Sequence, residues 1–553
     1  VSKKERIYDL NGDVVQESFQ GIVNRYERDQ SGRVTEMIEA FGTVEQRKTI
    51  YSYDDYGFIE KVIKPDGTCL YFKHECGELK ELKSSDKTVH YRFEYDKGNL
   101  IKAEDLISGK TALREYNGLN LLVKERLLNG LNLEYGYDEK GKIISLKLPD
   151  DSSIVYEYDN EDLKKISRLD PNAQFKFSHA FLNDHQESFI LDLGLLDIQK
   201  DDYGRPLSIK SPYRKEEYEF DSDLKQVIVD GEIEHRYEYD LFHRLIKDNE
   251  ESYEYDERDN LAGHHCDALN RVSLDGYKYD LNGNLIETQT FCFKYDALNR
   301  LIEVKGKEAT VKYSYDFFNR RMSRNETLFF WDNREEIGSF EDKITDLKIL
   351  GKGRIVACEI DSVPYAVQCD LKDTPVLYIN KETVLKEGPF ALQGKRKDPL
   401  TGLIYFGARD YDPLLKRFIS CDPKGYTDGF NLYHYARNNP NRYIDHFGHT
   451  SILDKVKEPL SYGWNALKSI YHSLNSFRDW INSFSGLGTA YKYLQESIEV
   501  LLGKGFIAFA GGYTQEGQTG IFGNGEINDK VRVTFIHGIL NLRADLIDNL
   551  RQL

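Results

Sequence analysis

The sequence contains few sulphur-bearing side chains and no grouping of cysteines typical of metal binding. Its 553 residues include two methionines and seven cysteines. No two cysteines have the C-x-x-C spacing of a zinc site, and their scatter and odd number do not indicate a disulfide framework. We therefore expect reduced, partly buried thiols, and neither a metal nor a cofactor. The seven are Cys69, Cys76, Cys266, Cys292, Cys358, Cys369 and Cys421.

Long apolar runs and long basic runs are also absent. No segment approaches the roughly 20 apolar residues that span a bilayer. The net charge of −18 creates a field that repels phosphate, which argues against a nucleic-acid partner and against an anionic membrane surface. No signal peptide is visible, and because the chain begins at Val1 we expect it to be a piece of something longer.

Aromatic residues are abundant, and many of them recur in a repeat. The chain has 38 tyrosines and 29 phenylalanines, which favour strands. "YSYDDYGFIEKV", "YRFEYDKGNLIKA", "LEYGYDEKGKIISL" and "IVYEYDNEDLKKI" share a Tyr-Asp pair at Tyr53, Tyr95, Tyr137 and Tyr158, spaced 42, 42 and 21 residues apart. The unit is therefore 21 residues long. Degraded units contain His74 and Tyr116, and less regular ones start at Tyr237, Tyr253, Tyr277, Phe293 and Tyr313.

Each unit predicts a β-hairpin. Alternation such as Tyr-Lys-Tyr-Asp puts both tyrosines on one face of a strand. An Asp followed by Asn or Gly makes a tight turn, because Asp bonds nearby backbone and Gly accepts a positive φ. A single hairpin is marginal, but stacked hairpins bury a continuous face. The regular placement of the repeat tyrosines favours packing over ligand binding.

These tandem units resemble the YD repeats of the RHS family. The resemblance covers residues 1–449 and implies a mainly β fold, in which a spiralling antiparallel sheet of hairpins forms a hollow shell. We expect YD repeats over 1–325 and a repeat-poor β continuation over 326–397. Residues 450–553 then form a variable, effector-like region with a helical and α+β pattern.

Residues 398–449 resemble the core-closing motif of the same family. "DPLTGLIYFGARDYDPLLKRFISCDPKGYTDGFNLYHYARNNPNRYIDHFGH" matches it along its whole length. In several members, including the C components of insecticidal Tc toxin complexes, this region plugs the shell and is an aspartyl autoprotease. The resemblance places the catalytic residues at Arg409, Asp410 and Asp422. Asp412, which precedes a proline, is predicted to cap a turn instead.

The expected cleavage site departs from the family pattern. The core of cleaving members ends in Asp-Pro-x-Gly followed by Leu, whereas this chain has His446 in place of the Pro and His449 in place of the Leu. The peptide bond that we expect to be cleaved is His449–Thr450. A polar side chain in a pocket shaped for Leu loses roughly 1–3 kcal/mol of positioning, which slows cleavage without abolishing it.

The last hundred residues have a different pattern of apolar residues. Apolar residues at three- and four-residue spacing predict helices over 455–503. A later apolar strand ends at His537 and Gly538, in a pattern that resembles the oxyanion turn of α/β-hydrolases. No G-x-S-x-G motif follows, so the hydrolase interpretation names no catalytic triad.

Three hypotheses for the function follow from the sequence. In the first, the shell encloses a C-terminal toxin or effector and releases it by one self-cleavage, working with a secretion or delivery partner. In the second, the chain is a structural or adhesive surface protein, as in teneurins, and does not cleave. In the third, the shell is fused to the start of a hydrolase. The family favours a secreted or cell-surface location reached by specialised export.

Overall fold

The computed structural model describes residues 4–427 and 429–449, and the backbone of 452–453. The chain divides into two units, Val1–Lys200 with Pro206–Asp454, and Asp201–Arg205 with Lys455–Leu553. The second unit lies almost wholly outside the described residues. The predicted helices in 455–503, Thr450 and the predicted turn at His537 and Gly538 lie outside them as well.

The first sheet has 25 strands, and each strand pairs antiparallel with the next one along the chain. This meander is what a series of hairpins must produce, since a tight turn joins only antiparallel neighbours. Its strands are β1 (Lys4–Tyr8), β2 (Val14–Phe19), β3 (Ile22–Arg28), β4 (Val34–Glu39), β5 (Arg47–Tyr53), β6 (Ile59–Ile63), β7 (Cys69–Glu75), β8 (Glu78–Ser84), β9 (His90–Asp96), β10 (Asn99–Asp105), β11 (Lys110–Tyr116), β12 (Leu122–Arg126), β13 (Asn132–Tyr137), β14 (Ile143–Lys147), β15 (Ser153–Asp159), β16 (Asp162–Leu169), β17 (Phe175–Phe181), β18 (Gln186–Ser188), β19 (Leu195–Lys200), β20 (Pro206–Lys210), β21 (Lys215–Phe220), β22 (Leu224–Val229), β23 (Glu232–Tyr239), β24 (Leu245–Asp248) and β25 (Glu251–Ser252).

The second sheet has 13 strands in the same sequential antiparallel order. Loss of the Tyr-Asp signature after residue 325 does not interrupt it, because the strands on either side pair with each other. Its strands are β26 (Lys278–Tyr279), β27 (Leu285–Glu287), β28 (Cys292–Tyr295), β29 (Leu301–Lys305), β30 (Thr310–Tyr315), β31 (Arg321–Arg324), β32 (Thr327–Asp332), β33 (Glu335–Phe340), β34 (Ile344–Gly351), β35 (Arg354–Ile360), β36 (Val363–Cys369), β37 (Pro375–Ile379) and β38 (Val384–Leu385).

Short elements complete the described residues. A three-stranded sheet is formed by β39 (Ile404–Tyr405), β40 (Asp410–Asp412) and β41 (Arg417–Phe418), and a two-stranded one by β42 (Tyr443–Ile444) and β43 (Ile452–Leu453). The helices are single 3-10 turns at Ile190–Asp192, Ala262–His264, Leu392–Gly394, Gly425–Thr427 and Ala436–Asn438. The prediction of a mainly β, hairpin-built antiparallel sheet is confirmed.

The Asp of the repeat caps the hairpin turn. In the turn after β5, the Asp54 carboxylate accepts the N–H groups of Tyr56 at 3.0 Å and Phe58 at 2.9 Å. Gly57, between them, has φ +90°, a conformation that costs glycine little. Several later turns add an Arg four residues after the Asp, which forms an ion pair with it, as in Arg300–Asp296 at 2.6 Å.

In six hairpins of the described residues, the Tyr of the repeat fastens the hairpin to the preceding one. Its hydroxyl donates to the backbone carbonyl at or near the start of the previous return strand. Packing on a regular face is therefore joined by a hydrogen bond that the sequence pattern did not predict. The pairs are Tyr53–Val34, Tyr116–Leu100, Tyr137–Leu122, Tyr239–Leu224, Tyr255–Leu245 and Tyr315–Leu301.

The two sheets share one large apolar core, which includes Leu133 and Ile154 of the first and Leu347 and Ile349 of the second. Buried ion pairs also cross between them. The best enclosed is Glu125 of β12, which is fully buried and lies 2.8 Å from the guanidinium of Arg320. Stacked hairpins thus bury a face that no single hairpin could cover.

Candidate functional site

Residues 398–449 form a small core of their own around four aromatic rings. Phe406, Tyr411, Phe418 and Tyr435 are buried together, with Phe406 in edge contact with Phe418 at 5.8 Å. Tyr411 of β40 and Phe418 of β41 are direct cross-strand partners, which places their rings on one face. We call residues 398–449 the plug.

Polar groups attach the plug to the segment that joins the two large sheets and to the first sheet. Arg417 donates to the Asn270 carbonyl at 2.6 Å, and Asn431 donates to the Asn260 side chain at 2.9 Å. Near the first strands, Tyr426 donates to Glu39 at 2.8 Å. These contacts fix the plug relative to the sheets, so residues inside it are held in a defined geometry.

Arg409 brings two acidic side chains of the plug together. Its Nη2 atom lies 3.0 Å from Asp422 Oδ2 and 3.5 Å from Asp445 Oδ2. The two carboxylate oxygens are therefore no more than 6.5 Å apart, the sum of those distances. All three side chains are buried, and the guanidinium lies 3.7 Å from the centre of the Phe418 ring.

The end of the described plug is bound to the same residues. The Nε of Arg409 donates to the Gly448 carbonyl, and the Asp445 carboxylate accepts the His449 N–H at 3.0 Å. The Ala408 N–H donates to the Phe447 carbonyl at 3.0 Å. The backbone immediately before the predicted cleavage site is thus held against Arg409 and Asp445.

Asp410 belongs to a different network. Both of its carboxylate oxygens accept from Nη2 of Arg321, at 2.8 and 2.9 Å. Burial raises the pKa of Asp410, and Arg321 opposes that rise. Consecutive residues of an extended strand point to opposite sides, which explains why Arg409 and Asp410 have different partners. That Asp410 and Asp422 act as a catalytic pair stays a prediction.

Arg321 is itself enclosed by aromatic rings. Its guanidinium lies 3.9 Å from the centre of the Tyr405 ring and 4.1 Å from that of Tyr313, and it donates to the Tyr315 hydroxyl. These contacts orient the charge that Asp410 meets. Asp412 has the simpler surroundings expected of a turn cap, since its carboxylate accepts the N–H groups of Leu414 and Leu415.

His449 lies in a half-buried position at the end of the plug. Burial lowers the pKa of its imidazole, Asp445 opposes this, and the cations Lys424, Arg409 and Arg334 reinforce it. The neutral ring is therefore favoured near pH 7, which reduces the cost of a polar residue where family members carry Leu. The ring also stacks on Phe447 at 6.0 Å.

Three other properties considered from the sequence can be examined in the part of the chain that the structure describes: the state of the cysteines, metal binding and membrane-spanning helices. All seven cysteines are free thiols. Within residues 4–427 and 429–449 no group of three His, Cys, Asp or Glu side chains could hold a metal ion. No helix among the described residues is long and apolar enough to cross a membrane.

Two functional candidates were missed by sequence reasoning. Asp445 lies within the core-closing motif, four residues before His449, but no local feature of the sequence indicates that it contacts Arg409. The sequence around Arg321 does not indicate a functional role, because this residue lies 89 residues before Asp410 in an ordinary repeat. Only the packing of β31 against the plug brings them together.

Comparisons with known proteins place the chain among YD-shell proteins. A family model described as Teneurin YD-shell matches residues 4–211 and 196–383 in two overlapping segments. Teneurin-3 of Danio rerio is 27% identical over 270 residues, which is 40% of this chain and 10% of the relative. The toxin subunit YenC2 of Yersinia entomophaga is 35% identical over 185 residues, which is 32% of this chain and 18% of that subunit.

A solved structure has the same fold over most of the chain. The crystal structure of TcdB2-TccC3 without its hypervariable C-terminal region superimposes with a TM-score of 0.65 at 14% identity. The match covers 81% of this chain and 30% of that one. The chain thus spans only a tenth to a third of the proteins to which it is compared here.

Proposed function

The chain belongs to the Teneurin YD-shell family, and from that premise we propose that its two sheets enclose the chain's own C-terminal segment. The plug closes the enclosure and cuts the chain once, between His449 and Thr450. The observation that carries the proposal is Arg409, which binds Asp422, Asp445 and the Gly448 carbonyl together. A plug with a purely structural role needs its C-terminal end held in place. It does not need to be held by an arginine that also binds two carboxylates.

The enclosed segment is a toxin or effector in this proposal. Its support is the change of composition after His449, together with the names of similar proteins. YenC2 is a toxin subunit, and TccC3 has a hypervariable C-terminal region. By the same likeness, the chain is delivered outside the producing cell and works with a secretion or delivery partner. The hydrolase alternative requires a G-x-S-x-G motif in sequence that continues beyond Leu553.

The cleavage chemistry is hydrolysis by carboxylates in different protonation states. Asp410, whose pKa is raised by burial, is a base of suitable strength to take a proton from water. The water oxygen attacks the His449 carbonyl carbon, and the bond to the Thr450 nitrogen breaks. Asp422 is the acid of the proposed pair and passes a proton to the leaving amine, while Asp445 binds the His449 N–H.

The test follows the full chain on a denaturing gel and by intact mass. Cleavage releases the 104 residues from Thr450 to Leu553. We expect Asp410→Asn and Asp422→Asn to abolish this fragment and Asp412→Asn, which alters only a turn, to leave it unchanged. Circular dichroism establishes that the variants are folded. An intact wild-type chain at every pH between 4 and 8 refutes self-cleavage.

A second candidate function is favoured by the surroundings of Asp410. Its ion pair with Arg321 is fully enclosed, as expected of a residue that joins the plug to a sheet. In that case the chain is a structural or adhesive surface protein of the teneurin kind, and the shell stays whole. The same gel separates the two functions, since a structural shell yields one band.

A further inference from the structure

The buried repeat tyrosines Tyr279 and Tyr295 both depart from the fastening pattern of the others, and Tyr295 lines a cavity together with Asp410 of the plug. In the hairpin after Tyr295, Tyr315 donates to the Leu301 carbonyl at 2.7 Å, and by the same register Tyr295 should donate to Leu285. The hydroxyl of Tyr295 is instead buried without a hydrogen-bond partner among the described residues. Leu285 is joined to the plug, because its N–H donates to the Ile419 carbonyl at 2.9 Å.

The hydroxyl of Tyr295 lies at a cavity beside the proposed catalytic residues. The cavity has a volume of about 10 Å³, which is close to the minimum for one water molecule. Its polar lining includes Tyr295, Arg409, Asp410 and Ser420. The charge of Asp410 is close enough to raise the pKa of Tyr295 further, in addition to burial.

A buried hydroxyl without a partner costs roughly 1–3 kcal/mol, so a site that keeps one normally supplies a water. Here the lining includes Tyr295, Asp410 and Ser420, three residues whose side chains carry groups that bind water. If the side chain at position 295 only had to pack against apolar neighbours, phenylalanine would be sufficient. The repeat accepts phenylalanine at this position, as Phe220 before Asp221 shows.

We infer that Tyr295 is a positioning residue that holds the hydrolytic water on Asp410, an inference that rests on the proposed self-cleavage. The Gly407–Arg409 backbone forms one wall of this cavity, and that backbone binds Phe447 just before the cleavage site. The water thus shares its cavity with Ala408 and Arg409, the residues that bind the Phe447 and Gly448 carbonyls. It loses one proton to Asp410 as its oxygen bonds to the His449 carbonyl carbon, the bond from that carbon to the Thr450 nitrogen breaks, and the nitrogen takes a proton from Asp422.

The test compares Tyr295→Phe with Tyr137→Phe in the full chain. Tyr137 occupies the same repeat position, but its hydroxyl donates to the Leu122 carbonyl at 2.7 Å, far along the chain from the plug. Each chain is made by cell-free translation with labelled leucine, and the released fragment is quantified over time. Labelled methionine would miss that fragment, because both methionines, Met37 and Met322, precede the cut.

Tyr295→Phe should slow release roughly 10- to 100-fold, the effect of misplacing a reacting group. It should also move the acid limb of the pH–rate profile to higher pH, because a hydrogen bond that stabilises the Asp410 carboxylate is lost. Its melting temperature should not fall. Tyr137→Phe should lower the melting temperature and leave both rate and profile unchanged.

Distinct results overturn the inference and the proposed function. If the Tyr295→Phe chain releases its fragment at a rate within twofold of the wild-type rate, the inference is wrong and the proposed function still stands. So does a crystal structure of the Asp422→Asn chain in which no water lies within hydrogen-bond distance of both Tyr295 and Asp410. A wild-type chain that never releases its C-terminal segment overturns the proposed function itself.

Discussion

The ion pair between Arg321 and Asp410 should make a large contribution to stability, whatever its part in cleavage. Both side chains are buried, with 6% of each side chain exposed. Removing one partner of such a pair leaves an uncompensated charge and costs about 3–5 kcal/mol. Removing both partners costs much less, because no buried charge is left. We therefore expect Arg321→Met to destabilise strongly and Asp410→Asn somewhat less, since the amide still accepts a hydrogen bond.

The expected shift in melting temperature follows from the size of the protein. A folded unit of about 450 residues has an unfolding entropy of roughly 0.9 kcal/mol per kelvin. A loss of about 3–5 kcal/mol then lowers the melting temperature by about 3–5 °C. The double variant should recover more than half of the sum of the two single losses, which is the signature of direct coupling.

Scanning calorimetry of the four chains measures these shifts, with fluorescence of Trp331 as a local probe, since its indole donates to the Arg321 carbonyl at 2.8 Å. The matched control is the exposed pair Lys165–Glu157, at 3.0 Å, where Lys165→Met should cost less than about 1 kcal/mol. Strictly additive single losses, or losses no larger than the control, would refute the reasoning.

Three further predictions concern the sheets and the plug. Gly283→Ala forces a side chain into a φ of +86° and within 2.5 Å of the Cys421 sulphur, so labelling of Cys421 by a thiol reagent should become faster. Asn129→Ala removes two amide hydrogen bonds to backbone carbonyls of the second sheet, which should cost about 1–3 kcal/mol in calorimetry. Burial opposes ionisation of Glu187, but Arg354 and a neighbouring histidine lower its pKa to about 2. The stabilisation that ionised Glu187 provides is therefore complete above pH 4.5 and is lost as the pH falls towards 2. Glu187→Gln should make the melting temperature less dependent on pH over that range.

Much of the fold could be predicted from the sequence because its determinants are local. Alternating aromatics define a strand, and an Asp such as Asp54 closes the turn within four residues. Repetition then makes each strand pair with its chain neighbour, which needs no distant information. The plug is identified differently, by the resemblance of the continuous motif from Asp398 to His449 to the core-closing motif of the family, and that resemblance names Arg409, Asp410 and Asp422.

The partners of the site could not be predicted, because they are chosen by packing between distant segments. Arg321 belongs to a repeat that differs little from its neighbours, yet it supplies the cation for Asp410. Tyr295 has the same sequence context as Tyr315, and only the approach of the plug to Leu285 sets it apart.

The sequence by itself thus determined the hairpin and the repeat, because each depends on residues a few positions apart, and the resemblance of one continuous motif to the family named the candidate acids. Only the tertiary structure decided which charges those acids meet. Burial makes every unpaired polar group costly, so each buried acid must find a cation or a donor, and those of Asp410 and Asp422 come from different segments of the chain.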